Sequence, residues 1–129
     1  MKIKSIFLLS ISILILMSCS VEPQKIEYGK DACSFCKMTI VETKFAAQIV
    51  TKKGKAFKYD ATECLLNDIE VKKENSLAYI LVTDYNKPKE LINATEASYL
   101  ISKEIKSPMG AYLSTKLFDW QSLKKHFSN

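Results

Sequence analysis

Apolar and polar positions follow several distinct rhythms along the chain. Ile6 to Met17 is an apolar run broken only by Ser10 and Ser12 and preceded by Lys2 and Lys4. Phe45 to Thr51 and Ala56 to Tyr59 are short segments whose apolar content predicts two strands. Lys52-Lys53-Gly54-Lys55 between them predicts a hairpin turn, with Gly54 free to take positive φ. Asp60 or Thr62 is expected to cap a following helix, short and weakly amphipathic, on which Leu65 and Ile69 share a face. Leu77 to Thr83 (LAYILVT) is dense enough for a buried strand, and Asn86-Lys87-Pro88 reads as a turn. In Ala94 to Ser102 the alternation of Ala97, Tyr99 and Ile101 predicts a strand. Ser107-Pro108-Met109-Gly110 has turn composition, and Tyr112 to Phe118 reads as a strand. Asp119 caps a last helix, Trp120 to Phe127, whose Leu123 and Phe127 stack at i, i+4. The order strand–strand–helix–strand, then strand–strand–helix, predicts a small α+β domain with a rough internal echo.

The first apolar run is too short for a comfortable membrane span and has the length of a signal-peptide core. It ends in Leu16-Met17-Ser18-Cys19, where a small residue precedes Cys and a Leu stands three before it. That pattern resembles a bacterial lipobox, so residues 1–18 are expected to be removed and Cys19 acylated. Ser20 to Lys30 is polar with one Pro and is expected to act as the tether. The expected organisation is 1–18 signal, 19–30 lipid-anchored tether and 31–129 folded domain, on the outer side of a cell-envelope membrane, facing the periplasm or exterior.

Composition sharpens this picture. The 129 residues suffice for one domain, and 47% apolar with 26% charged is a globular balance. All 19 basic residues are Lys, which argues against nucleic acid or bidentate phosphate recognition. Loss of Lys2 and Lys4 with the signal lowers the formal charge from +5 to +3, too little to name a partner. The sequence has no Gly-rich phosphate loop and no Ser-His-Asp set. Its single His, His126, stands near the terminus and is expected to be exposed, so acid–base catalysis has no evident agent. The chain is expected not to be an enzyme.

Sulfur carries the chemistry. With Cys19 acylated, Cys33, Cys36 and Cys64 remain, an odd number that leaves at least one thiol outside any disulfide. Cys33-Ser34-Phe35-Cys36 can be a redox pair, half of a zinc site or a soft-metal clamp. Met38 follows two residues later and favours the clamp, because a thioether is soft, suits Cu(I) and does nothing for thiol exchange. Met38 and Met109 are the only methionines beyond the signal, and both stand in loop-like sequence. Cys64 reads as a small core residue of the first helical turn or as a further ligand. Glu63 is expected to be solvated, and Asp84-Tyr85 to be turn chemistry.

Together these segments resemble the NosL-type copper lipoproteins that accompany nitrous oxide reductase. The resemblance rests on Cys19, Cys33-x-x-Cys36-x-Met38-x-Ile40, Phe45-Ala46-Ala47-Gln48, Tyr59-Asp60…Glu63-Cys64, Asp84-Tyr85 and Ser107-Pro108-Met109-Gly110. It implies a fold of two ββαβ-like units similar to part of organomercurial lyase. It implies one Cu(I) bound outside the cytoplasm and passed to a copper-receiving protein, either the reductase or its maturation transporter. The family's sulfur core maps onto Cys36, Met38 and Met109, with Cys33 and Cys64 as further candidates. The competing expectation is an envelope thiol–disulfide lipoprotein using Cys33 and Cys36.

Overall fold

The computed structural model describes residues 2–3, 20–108 and 112–128. Four strands form an antiparallel sheet: β1 (Ala47–Thr51), β2 (Ala56–Tyr59), β3 (Leu77–Thr83) and β4 (Leu91–Asn93), in the order β2-β1-β3-β4. Helix α1 (Thr62–Lys72) and a single 3-10 turn (Glu74–Ser76) connect β2 to β3. A separate hairpin, β5 (Tyr99–Lys106) and β6 (Tyr112–Phe118), leads into helix α2 (Trp120–Ser128). The class is α+β, as the segment pattern predicts. Within the described residues the first unit is ββαβ with an added edge strand, and the second is ββα.

β1 is central because its residues can be buried on both faces. Ala47, Gln48, Ile49 and Val50 are all fully covered. The Gly54 turn matches its expectation, with φ +87°. Leu65 and Ile69 of α1 enter the same core as Ile49, Tyr59, Leu77, Ile80 and Val82. Trp120 and Leu123 of α2 join that core, so the two units share it.

Four expectations need correction. Neither Asp60 nor Thr62 caps α1: Ala61, in extended geometry at φ −147°, holds the cap position without a side-chain bond. Residues 94–98 are not strand. Asn93 Oδ1 accepts the backbone N–H and hydroxyl of Thr95 at 3.0 and 2.9 Å, bending the chain, and the strand starts at Tyr99 and runs on to Lys106. That Asn side chain competes with a neighbouring strand for the same N–H group. β4 appears just before this bend, where three residues add an edge to β3.

The expected tether is also largely part of the domain. Ile26 is buried, and the fully buried Gln48 exchanges two bonds with Gln24: Gln24 N–H to Oε1 at 2.7 Å and Nε2 to the Gln24 carbonyl at 2.6 Å. Lys58, the cross-strand partner of Gln48, donates to the Lys25 carbonyl at 2.7 Å and to Asp31 Oδ2 at 2.6 Å. That ammonium, aided by the Glu27 N–H, holds the Asp31 carboxyl below its usual range. Fourth, Glu63 is not solvated; it is buried, and its Oε2 has no hydrogen-bond partner among the described residues.

Gln48→Ala should therefore cost about 2–3 kcal/mol, since it removes two bonds and strands the Gln24 amide and carbonyl. Urea unfolding gives the loss. Limited proteolysis should show earlier cleavage between residues 20 and 28, and an unchanged cleavage pattern would mean that Gln48 does not hold this segment.

Candidate metal centre

The site begins with a tight loop. Ala32 and Thr39 form an isolated antiparallel bridge, which closes the chain between them on itself. The Cys33 N–H donates to the Met38 carbonyl at 2.8 Å, and the Lys37 N–H returns to the Cys33 carbonyl at 3.1 Å. Closing so short a loop requires a left-handed residue, and Lys37 takes that conformation at φ 67°. Its Nζ steadies the turn by donating to the Ser34 carbonyl at 2.6 Å. The Ser34 N–H donates to the Lys58 carbonyl at 2.8 Å, which docks the loop on the end of β2.

That end of β2 turns directly into α1, and the first turn of α1 carries Cys64. The Sγ atoms of Cys33, Cys36 and Cys64 consequently lie within 4.8 Å of one another. All three are free thiols. Cys33 is 1% exposed and Cys64 0%, whereas Cys36 is half-buried, so the cluster opens toward solvent on the Cys36 side.

The two buried sulfurs differ electrostatically. Burial opposes ionisation of Cys33. The backbone N–H groups of Asp60, Cys36 and Phe35, together with the Cys36 thiol, point at its sulfur and outweigh burial, holding its pKa below the ordinary thiol range. Cys64 goes the other way: burial, then the neighbouring Cys33 charge, pushes its thiol well up. Of these two thiols, Cys33 is the more readily ionised. Three soft donors at this spacing suit one soft cation. Three thiolates around one ion at ~2.3 Å would stand ~4 Å apart, which needs only a small contraction.

Asp60 has a different task from the expected cap. Its N–H faces Cys33, and its own buried carboxylate accepts the Val41 N–H. Burial, with Glu42 nearby, raises the pKa of that carboxyl.

Among the sequence candidates, the structure brings together Cys33, Cys36 and Cys64. Met38 is 54% exposed while its carbonyl closes the loop. Met109 lies outside the described residues, as do Cys19 and the expected approach of the 107–110 turn to the 33–38 loop. Asp84 makes the expected turn, accepting the Asn86 N–H at 3.0 Å. His126 is exposed on α2. The sequence signal for the third thiol was the odd cysteine count.

The sequence pattern of the NosL family matches residues 23–117. The chain belongs to the NosL family. Among solved structures, the fold is similar to the crystal structure of the copper chaperone NosL from Shewanella denitrificans, with a TM-score of 0.61. The two sequences are 20% identical, over 84% of this chain and 86% of that one. No curated protein matches the chain. At that identity the similarity speaks for the NosL fold, and the thiol cluster described above is this chain's own observation.

Proposed function

We propose that this protein is a copper-carrying lipoprotein and not an enzyme: anchored through Cys19 outside the cytoplasm, it holds one Cu(I) and passes it on for maturation of nitrous oxide reductase. The observation that carries the reading is the convergence of three free thiols within 4.8 Å, one of them facing solvent. Membership of the NosL family and the fold shared with a copper chaperone support it.

In this reading Cys33, Cys36 and Cys64 hold the ion. Met38 and Met109 are the further candidate ligands, thioethers that could take the place of a thiolate. Cu(I) accepts two or three soft ligands, and the open Cys36 side admits the acceptor's sulfur or imidazole. Transfer is then ligand exchange, with no redox step.

Titrating the reduced mature chain with Cu(I) against a chromophoric competitor should give one ion per chain and little competition from Zn(II), which prefers four-coordinate closed sites. Equal competition by Zn(II) would point to a structural zinc site.

The titration should also depend on pH. The raised Cys64 thiol is protonated near neutrality, so Cu(I) must displace at least that proton. Apparent affinity should rise about tenfold per pH unit for each proton displaced. The same competition run at two pH values checks this; a flat response would remove Cys64 from the ligand set.

A thiol–disulfide function also has an observation in its favour, the lowered thiol of Cys33 beside Cys36. Against it, Cys33 is almost wholly buried, out of reach of an incoming disulfide. Met38→Ala separates the two readings: it should weaken Cu(I) binding and leave a Cys33–Cys36 reduction potential unchanged.

A further inference from the structure

Ser20, the first residue after the proposed anchor Cys19, lies beside the β1–β2 turn. A Cβ built on Gly54 would stand 3.9 Å from Val21 Cγ2 and 4.0 Å from the Ser20 carbonyl oxygen. The segment then continues across the sheet and is locked by the Gln24–Gln48 and Lys25–Lys58 bonds. A lipid on Cys19 would therefore enter the bilayer next to this turn, with little free tether between them.

The turn is cationic. Lys52, Lys53 and Lys55 are exposed, and no ion pair engages them among the described residues. Lys55 leans on Phe57, its Nζ 4.9 Å from the ring centroid. The Lys52 N–H donates to the Ser76 carbonyl, which ties in the neighbouring turn and its exposed Lys73. The acid of that neighbouring turn, Glu74, is occupied by Lys124 at 2.6 Å and Trp120 at 3.0 Å. A lipid on Cys19 and a cluster of ammonium groups at the same end would act on one membrane surface, the lipid holding the protein there and the charges attracting anionic headgroups.

We infer that the Lys52-Lys53-Gly54-Lys55 turn is a docking surface for anionic phospholipid headgroups, and that it sets how the protein stands on the membrane. The inference rests on the lipoprotein reading of Cys19. It has a consequence for copper transfer. β2 runs from this turn to Tyr59, and the thiol cluster sits at that far end. At ~3.3 Å per residue, the cluster stands roughly 15 Å farther from the lipid.

The test uses the mature chain in two forms, lipidated and Cys19→Ser. The lipidated form is placed in phosphatidylcholine vesicles with or without 30 mol% phosphatidylglycerol (roughly the charge density of an anionic leaflet), and lysine acetylation is followed by mass spectrometry. In the anionic vesicles Lys52, Lys53 and Lys55 should react about tenfold more slowly than Lys87 and Lys89 in the β3–β4 turn at the opposite end of the sheet. Without the anionic lipid that contrast should largely vanish. The Cys19→Ser form should bind anionic vesicles at low salt about a hundredfold more tightly than its Lys52→Gln, Lys53→Gln, Lys55→Gln variant. Uniform acetylation in anionic vesicles, or equal binding by the triple variant, would overturn the docking surface. The intact mass reads the anchor separately: absence of a diacylglyceryl adduct on Cys19 would overturn the lipoprotein reading, while the Cys19→Ser arm still decides the turn.

Discussion

Cys64→Ala should weaken Cu(I) binding by at least a hundredfold and leave the domain folded. Changing a group that merely orients a metal ligand typically costs 10–100-fold in affinity, so loss of a direct ligand should reach or exceed the upper end of that range. Cys64 is the thiol contributed by α1; Cys33 and Cys36 come from one loop. Without it the thiolates that remain are three residues apart, and nothing from the helix closes over the ion. The structural cost is small, because a buried Cys→Ala change removes one sulfur and costs about 1 kcal/mol. Thermal unfolding of the variant reads that cost and competition titration reads the affinity. Affinity within a few-fold of the parent would make Cys64 a core residue only. The ligand candidates left would then be Cys33, Cys36, Met38 and Met109.

Trp120→Ala should have the largest effect on stability, a loss of about 3–5 kcal/mol. That is a large share of the ~5–15 kcal/mol available to a domain. The ring is buried, its Nε1 donates to Glu74 Oε1 at 3.0 Å, and it lies 6.2 Å from the Tyr99 ring. It thus ties α2 to β5 and to the turn after α1. Removing it opens a cavity where the two units share their core and takes one donor from Glu74. Lys124 remains to hold that carboxylate. Trp120→Phe should cost less, about 1–2 kcal/mol for the lost N–H bond and part of the ring. Denaturant unfolding of both variants gives the comparison. The folded fraction of Trp120→Ala should still bind Cu(I) through its thiols, because Cys33, Cys36 and Cys64 all sit on the first unit. Equal costs for Ala and Phe would assign the effect to the hydrogen bond and not to packing.

Strands and helices whose apolar spacing matches their final burial were legible in the chain. β2, β3 and β6 appear where the pattern places them, α2 differs only in ending at Ser128, and β1 starts two residues later, at Ala47. The failures have a common cause, a side chain with two possible partners. Asn93 could have pointed to solvent but bonds Thr95, which moves the start of β5 to Tyr99. Asp60 has the composition of a cap, yet its N–H is spent on Cys33 and its carboxylate on Val41, both reached across the loop. The stretch after Cys19 looks like a spacer because it is polar. A polar residue can still be fixed when a buried partner such as Gln48 awaits it on the sheet.

By itself the sequence determined the residue types: a CxxC with a thioether nearby, a third thiol on a helix, a single histidine, and a lysine-rich turn. Those follow from chemistry that each side chain carries wherever it lies. Only the tertiary structure decided that the third thiol meets the first two. Cys64 stands 28 residues beyond Cys36, and no local pattern reports which side of α1 turns toward the loop. The meeting depends on the Ser34–Lys58 bond that docks the loop on β2 and on the immediate passage of β2 into α1. The different proton affinities of Cys33 and Cys64 arise the same way. Identical thiols diverge because backbone N–H groups converge on one and burial surrounds the other.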